Sequence, residues 1–332
     1  MSYKRDLVLK TFNNEETDRA PIGFWYHFAK DETVPLTDEL VKINYNGHLK
    51  FCKDVEPDFL KIMSDGFFHY PGVASEPVTC AADLKKIKSG KPETLAWIDR
   101  QIDMVKKVAS QYGKDMVTLY NVFSPASYLT FATENLSFKN ITSFYEEDPE
   151  ALKNALLTIA EDVKILADRA IREAGVDGIY FSVGCYDGIS REEYQRIIEP
   201  SELAVLEVAN AANDCNMIHI CGYAGRKNDL TTFKDYPVKA VNWATVVEGI
   251  PLEEGRKIFG NRAVAGGFAN TTDGVLYSGT EEQIKAETKR ILSAAGSRGV
   301  ILGADCTIPR GTPASHIQWV REAAEEFEPE FE

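Results

Sequence analysis

Residues 148–184 read DPEALKNALLTIAEDVKILADRAIREAGVDGIYFSVG, and the order of signals within this stretch decides the fold. Asp148 is a strong N-cap type, and Pro149 suits the first helical position, where its missing N–H costs nothing. Leu152, Leu156, Ile159, Val163 and Leu166 then recur at helical spacing, and Gly175 supplies a stop. Immediately afterwards the pattern changes to GIYFSVG at 178–184, a near-continuous apolar run of the kind that buried parallel strands show. A helix feeding directly into such a strand is one repeat of an α/β protein.

The same alternation extends in both directions. Further strand candidates are residues 21–27 (PIGFWYH), 59–65 (FLKIMSD), 116–123 (MVTLYNVF), 217–221 (MIHIC), 240–244 (AVNWA), 263–268 (AVAGGF) and 299–306 (GVILGADC), which makes eight in all. Ser190 with Glu193 and Thr280 with Gln283 read as capping boxes, and Gly296 ends the helix that begins at the second. Strict helix-then-strand succession predicts one parallel sheet, and eight strands fit a closed (β/α)8 TIM barrel best. An open doubly wound sheet is the alternative. No G-x-G-x-x-G follows any candidate strand, which weakens the dinucleotide-binding version of that alternative. With no low-complexity linker and no other repeat, the chain reads as one domain over 1–332, with a helical extension at its N-terminus.

Composition narrows the function. The 332 residues carry 37 basic and 51 acidic side chains, a net charge of −14, and 44% hydrophobic residues. An acidic chain lacks the basic footprint that nucleic acid or an anionic membrane surface requires. No apolar run reaches the roughly 18 residues of a spanning helix, and residues 1–16 (MSYKRDLVLKTFNNEE) lack a signal-type apolar core, so a cytoplasmic protein is expected. Six widely spread cysteines (52, 80, 185, 215, 221 and 306) read as thiols or ligands and not as a disulfide framework.

Barrel enzymes place their chemistry at the C-terminal ends of the strands. The polar residues closing the candidate strands are His27, Asp65, Ser124, Cys185, His219 with Cys221, Asn242, Asn270, and Asp305 with Cys306. In His219-Ile220-Cys221, residues i and i+2 of a strand share a face, so imidazole and thiol emerge side by side. Cys306 closes the last strand and points to the same mouth. One His and two Cys are ligands that zinc prefers, and three of them leave a fourth position open, as in a catalytic site. A second reading stays open on the residues alone: two small buried cysteines and a hydrogen-bonded core histidine.

The segment VLKTFNNEETDRAPIGFWYHF (8–28), with its D-R-x-P lead into the first strand, resembles the uroporphyrinogen decarboxylase superfamily. The pairing of HICG (219–222) with GADCTIPRGTP (303–313) resembles that superfamily's zinc methyltransferase branch, which includes the methylcobamide:coenzyme M methyltransferases. The resemblance implies a (β/α)8 barrel and makes His219, Cys221 and Cys306 zinc ligands. It implies methyl transfer from a methylated corrinoid, as free methylcobalamin or a corrinoid protein, to a small thiol or related acceptor. It also places an acidic residue, here Asp65, at the substrate site as a catalytic candidate; the alternative for Asp65 is a turn-capping role. His27, Tyr26, Asn242 and Arg310 are expected to bind substrate. One departure is informative: no arginine lies between Arg19 and Arg100, whereas the decarboxylases keep arginines after the first strand for a tetrapyrrole with eight carboxylates. Buried anions without partners are strongly disfavoured, so that substrate is not expected here. A decarboxylase-like lyase on a smaller substrate, a hydrolase or lyase using zinc-bound water, and a non-catalytic corrinoid- or metal-binding barrel are the other functions these residues allow. Cys185 is a candidate extra ligand, and Arg226 with Lys227 a candidate anion site, each against a plain loop role. His69 can line the entrance, Cys215 lies at the opposite end of the strands, and His316 falls on the first turn of a helix that Thr312-Pro313 caps.

Overall fold

The structure, a computed structural model, describes residues 2–74, 77–133 and 139–328. Seven parallel strands form one curled sheet whose spatial order equals its chain order: β1 (Phe59–Ile62), β2 (Val117–Phe123), β3 (Gly178–Val183), β4 (Met217–Ile220), β5 (Ala240–Trp243), β6 (Ala263–Phe268) and β7 (Val300–Ala304). The longer helices are α1 (Tyr3–Phe12), α2 (Asp38–Val55), α3 (Pro92–Tyr112), α4 (Pro149–Arg172), α5 (Glu199–Ala212), α6 (Glu281–Ala295) and α7 (Ala314–Glu325). A strand order that never reverses is not that of a doubly wound sheet, which removes the alternative architecture.

Seven of the eight expected strands are present. The eighth, expected at residues 21–27, is a correction: it forms one isolated bridge, Ile22 to Leu302 of β7, and no ladder. Toward β7 the segment does bond, with Leu302 N donating to Pro21 O and Gly23 N to Leu302 O, both at 2.9 Å. Toward β1 it makes one backbone bond, Asp58 N to Ile22 O at 3.1 Å, and the ladder stops there because Ile22 N donates to the Asp58 carboxylate at 2.7 Å. Pro21 has no N–H to offer either neighbour. Two glycines let the segment lie this close. A Cβ on Gly303 would sit 2.7 Å from Gly23 O, and a Cβ on Gly23 would enter the Phe59 ring.

The inner face explains the curl. Trp25, Phe59, Leu119, Tyr180, Met217, Ala240, Ala265 and Ile301, from every strand and the 21–25 segment, join one buried cluster. Their neighbours in sequence, such as Leu60, Ile179, Ile218, Val264 and Leu302, face the helices in a separate core, as period-two alternation requires. Alanines on β5 and β6 leave room for the large rings from Trp25 and Tyr180. Val8 and Phe12 of α1 complete the inner cluster, and Arg5 is tied to Asp177 just before β3 at 2.6 Å. The sheet is therefore plugged below, so a cavity inside it opens toward the C-terminal strand ends.

Local signals hold with two adjustments. Asp148 accepts from Ala151 N at 3.0 Å, Gly175 takes φ +81°, and the Thr280/Gln283 box is reciprocal. Ser190 caps its helix, but Glu193 turns to Arg196 at 2.8 Å, so that box is half formed. The last helix starts at Pro313 without a side-chain cap; His316 bonds the Leu276 carbonyl at 2.8 Å and stacks on Trp319. No helix among the described residues is long and apolar enough to cross a membrane.

His48 of α2 is fully buried beneath the end of β1. Its Nδ1–H donates to Asn44 O at 2.7 Å and its Nε2 accepts from Met63 N at 2.9 Å, an arrangement that only neutral imidazole can make. Burial drives its pKa down from 6.5 to about 4, against the Asn44 bond and the Asp65 charge, which both raise it. The unfolded chain takes up the proton first, so His48 costs stability as pH falls from 6.5 toward 4, by up to about 3 kcal/mol. We expect chemical denaturation to show the stability difference moving in favour of His48→Gln over that range, and to stay constant above pH 7.5.

Candidate metal centre

Two strand ends converge in space. His219 and Cys221 close β4, and Cys306 follows β7; their nearest ligand atoms all lie within 4.8 Å of one another, with His219 Nε2 3.3 Å from Cys306 Sγ. A tetrahedral zinc with Zn–S of about 2.3 Å and Zn–N of about 2.05 Å needs ligand separations of about 3.5–3.8 Å, so small side-chain adjustments suffice. Among the described residues this is the one cluster of three or more His, Cys, Asp or Glu groups that can hold a metal.

The histidine is held in the ligating tautomer. Asn242 Nδ2 donates to Ala265 O at 2.8 Å and to Ala304 O at 3.1 Å, which fixes the amide's orientation. Its Oδ1 is then an acceptor, taking Tyr180 OH at 2.7 Å and His219 Nδ1–H at 2.5 Å. With Nδ1 protonated, Nε2 keeps its lone pair toward the sulfurs, the outer-shell arrangement of metal-bound histidines. Tyr180 also stacks on the imidazole, 5.4 Å between centroids.

The two thiols behave as a pair. A hydrogen bond from Cys221 draws the Cys306 thiol well below its ordinary value against burial, helped by His219 and Lys61. The Cys221 proton that makes this bond is held well above. The backbone is equally well set. Cys221 N donates to Val183 O at 2.9 Å, and Asn228 bonds Cys221 O at 3.1 Å. Asp305 ties the end of β7 to the turn after β5 through Thr245 N, Thr245 Oγ1 and Val246 N at 2.6–2.9 Å. Burial holds the Asp305 carboxyl above its ordinary value despite these bonds.

A cavity of about 450 Å³ opens beside the three ligands, and most of its surface is apolar. Phe68, Phe123 and Phe131 form an aromatic cluster on it, with centroids 4.7–5.0 Å apart. His27, Lys61, Asn121 and Arg226 are among its polar lining.

The remaining sequence candidates divide. His27 lines the cavity and presents Nε2, because its Nδ1–H is bonded to Asp65 Oδ1 at 2.7 Å. Asp65 is fully buried and does not line the cavity; it also accepts from Phe28 N and Ala29 N at 2.8 and 3.0 Å. Burial would raise its carboxyl, but the His27 bond and the two amides outweigh that and hold it below its ordinary value. Three expected substrate contacts are corrected. Tyr26 packs edge-on to Phe28 and Phe51, away from the cavity. Asn242 serves His219. Arg310 bonds the carbonyls of Ala29 and Lys30 and pairs with Glu32 at 3.6 Å, fastening that loop. Cys185 lies apart from the cluster, its thiol near Asp229 O and Thr232, and burial pushes it up to about 11. Cys215 is buried with the α1 plug. His69 bonds Thr33 O at 2.6 Å and is not part of the lining, whereas Arg226 lies on the cavity, as the anion-site reading expected.

Lys61 went unnoticed in the sequence. It is the single charge in 59–63 (FLKIM), and strand alternation puts it on the inner face with Phe59 and Met63. Burial lowers its pKa to about 8, while nearby negative sulfur and Asp65 act to raise it.

A curled parallel sheet whose C-terminal strand ends bring one histidine and two cysteines together makes this an α/β protein with a candidate metal centre. Residues 68–327, well over half the chain, match the family model for uroporphyrinogen decarboxylase (URO-D), and the chain belongs to that family. No curated protein sequence matches it. Among solved structures, a methyltransferase from Methanosarcina mazei is similar at 16% identity and TM-score 0.77, over 98% of this chain and 99% of that one. A B12-independent methionine synthase from Shewanella sp. W3-18-1, in complex with selenomethionine, is 12% identical at TM-score 0.58, covering 92% and 97%. Old Yellow Enzyme from Pichia sp. AKU4542 reaches TM-score 0.50 at 12% identity, covering 93% and 84%. Neighbours this distant share the fold, and their chemistries differ.

Outer-shell partners of a ligating histidine are worth 10- to 100-fold in metal affinity. We therefore expect Asn242→Ala to weaken zinc binding by that factor in a competitive chelator titration, with an unchanged far-ultraviolet spectrum.

Proposed function

We propose that this protein is a zinc-dependent methyltransferase that moves a methyl group from a methylated corrinoid to a small thiol or related acceptor. The observation that carries the reading is the convergence of His219, Cys221 and Cys306, with the His219 tautomer fixed by Asn242, beside a largely apolar cavity. The donor set suits zinc: two thiolates balance its charge and a neutral imidazole completes three ligands. When bound there, zinc would accept the acceptor's sulfur at its fourth position and favour the thiolate over the thiol.

The chain's own residues supply the rest. His27 Nε2, with Nδ1 anchored on Asp65, takes the acceptor's thiol proton, so Asp65 acts as a positioning residue through His27. Phe68, Phe123 and Phe131 keep bulk water from the sulfur and the methyl carbon. The sulfur attacks the methyl carbon in line. An S–CH3 bond forms, the Co–C bond breaks, and its electron pair stays on cobalt, which leaves as Co(I). Holding both reactants at the strand ends replaces a bimolecular encounter with an oriented one. A cavity of about 450 Å³ admits the acceptor and the methyl group while the corrin stays at the mouth. A methylated corrinoid protein or free methylcobalamin is the donor, and a soluble location such as the cytoplasm suits both.

Decarboxylation of a tetrapyrrole carrying eight carboxylates lacks support, because among the described residues Arg226 is the one arginine on the cavity. The test is anaerobic loss of methylcobalamin absorbance in the presence of a thiol. The zinc-loaded protein is expected to catalyse it, and Cys221→Ser and Cys306→Ser to lose at least 100-fold. Equal rates in wild type and both variants, or no thiol dependence, would overturn the reading.

A further inference from the structure

The ammonium of Lys61 is the feature the mechanism leaves unused. Its side chain is 5% exposed, its Nζ lies 4.0 Å from the Tyr180 ring centroid and 5.0 Å from that of Trp25, and it lines the cavity. Among the described residues no carboxylate lies within salt-bridge distance of it. Ring faces soften the burial of a cation, but they do not neutralise it. A buried charge is otherwise retained only where something pairs with it.

Charge counting says what that partner is. Zinc with two thiolates is neutral, and His219, its Nδ1–H on the Asn242 oxygen, would bind the metal through Nε2 as a neutral imidazole. The Asp65 carboxylate is hydrogen-bonded to His27 and two backbone amides, and Glu32, the carboxylate on the cavity wall, lies 3.6 Å from Arg310 and 3.8 Å from His27 Nε2; neither is within ion-pair distance of Lys61. The Lys61 ammonium is thus left without an ion-pair partner in a low-dielectric cavity, on the same inner face as the metal ligands, where an anion gains more than it would in water. The link is also structural: Tyr180 lies under the Lys61 ammonium with one face, stacks on His219, and bonds Asn242.

We propose that Lys61 is the counter-ion of the acceptor's sulfur, so that the site selects an acceptor bound as an anion, a thiolate, over neutral ligands of the same metal. The inference rests on the zinc reading and narrows its acceptor to a class. Zinc alone favours any soft or nitrogen donor. The added cation discriminates by charge, and it also lowers the cost of holding sulfur deprotonated before the methyl group arrives.

The test uses the full-length protein loaded with Co(II) in place of zinc, read by visible absorption. The probes are 2-mercaptoethanol, which binds as a thiolate, and imidazole, which binds neutral. Lys61→Met keeps the length of the side chain and removes the charge, a change that buried sites commonly tolerate. It is expected to load cobalt fully and melt no lower than wild type. Its Kd for 2-mercaptoethanol should rise at least tenfold while that for imidazole moves less than twofold, and Lys61→Arg should recover most of the thiol affinity. Full loading with equal change for both probes, or with none, overturns the role of Lys61 and leaves the methyltransferase reading standing. Wild-type protein that takes up no cobalt overturns both.

Discussion

One buried carboxamide holds the candidate site together. Asn242, on β5, accepts from Tyr180 on β3 and His219 on β4, and donates to carbonyls of Ala265 on β6 and Ala304 on β7. Five adjacent strands are thereby joined through a single side chain with both amide hydrogens and its oxygen engaged. Removing it would leave buried donors and acceptors unpaired, at about 1–3 kcal/mol each. The same network fixes which imidazole nitrogen faces the two sulfurs, so fold stability and ligand chemistry share one set of bonds.

The electrostatics follow from that frame. The interior of the sheet is packed with rings and small side chains, and its N-terminal end is closed by α1, so charges at the upper end are poorly screened by solvent. Within this setting the buried acidic group behind the cavity wall, Asp65, is fully committed to His27 and the chain at 28–29. The carboxylate fixes the imidazole, and the imidazole meets whatever enters. The net charge is −14, while the cavity wall carries Lys61 and Arg226 beside one carboxylate, Glu32.

Much of this was legible in the sequence. Seven parallel strands, their order and the convergence of His219, Cys221 and Cys306 follow from apolar runs and from the i, i+2 rule. What was not legible depended on side chains acting across strands. The segment at 21–27 has a strand's composition, yet the Asp58 carboxylate takes the Ile22 amide that a ladder would use. Asn242 ends a strand and is expected from that to bind substrate, and for Asp65 the resemblance implies a substrate-site role beside a turn-capping alternative; the partners of both come from residues far away in sequence. Tyr26 alternates correctly and turns out to face the helices. Lys61 left a trace, one charge amid apolar neighbours, whose meaning appears once β3 brings Tyr180 beneath it.

Zinc-edge X-ray absorption on purified, zinc-reconstituted protein is the most direct probe of the site. The predicted result is one zinc per chain with two sulfur ligands at about 2.3 Å and at least one nitrogen at about 2.0–2.1 Å. A chain that retains no zinc after reconstitution, or a shell made only of nitrogen and oxygen, would contradict it.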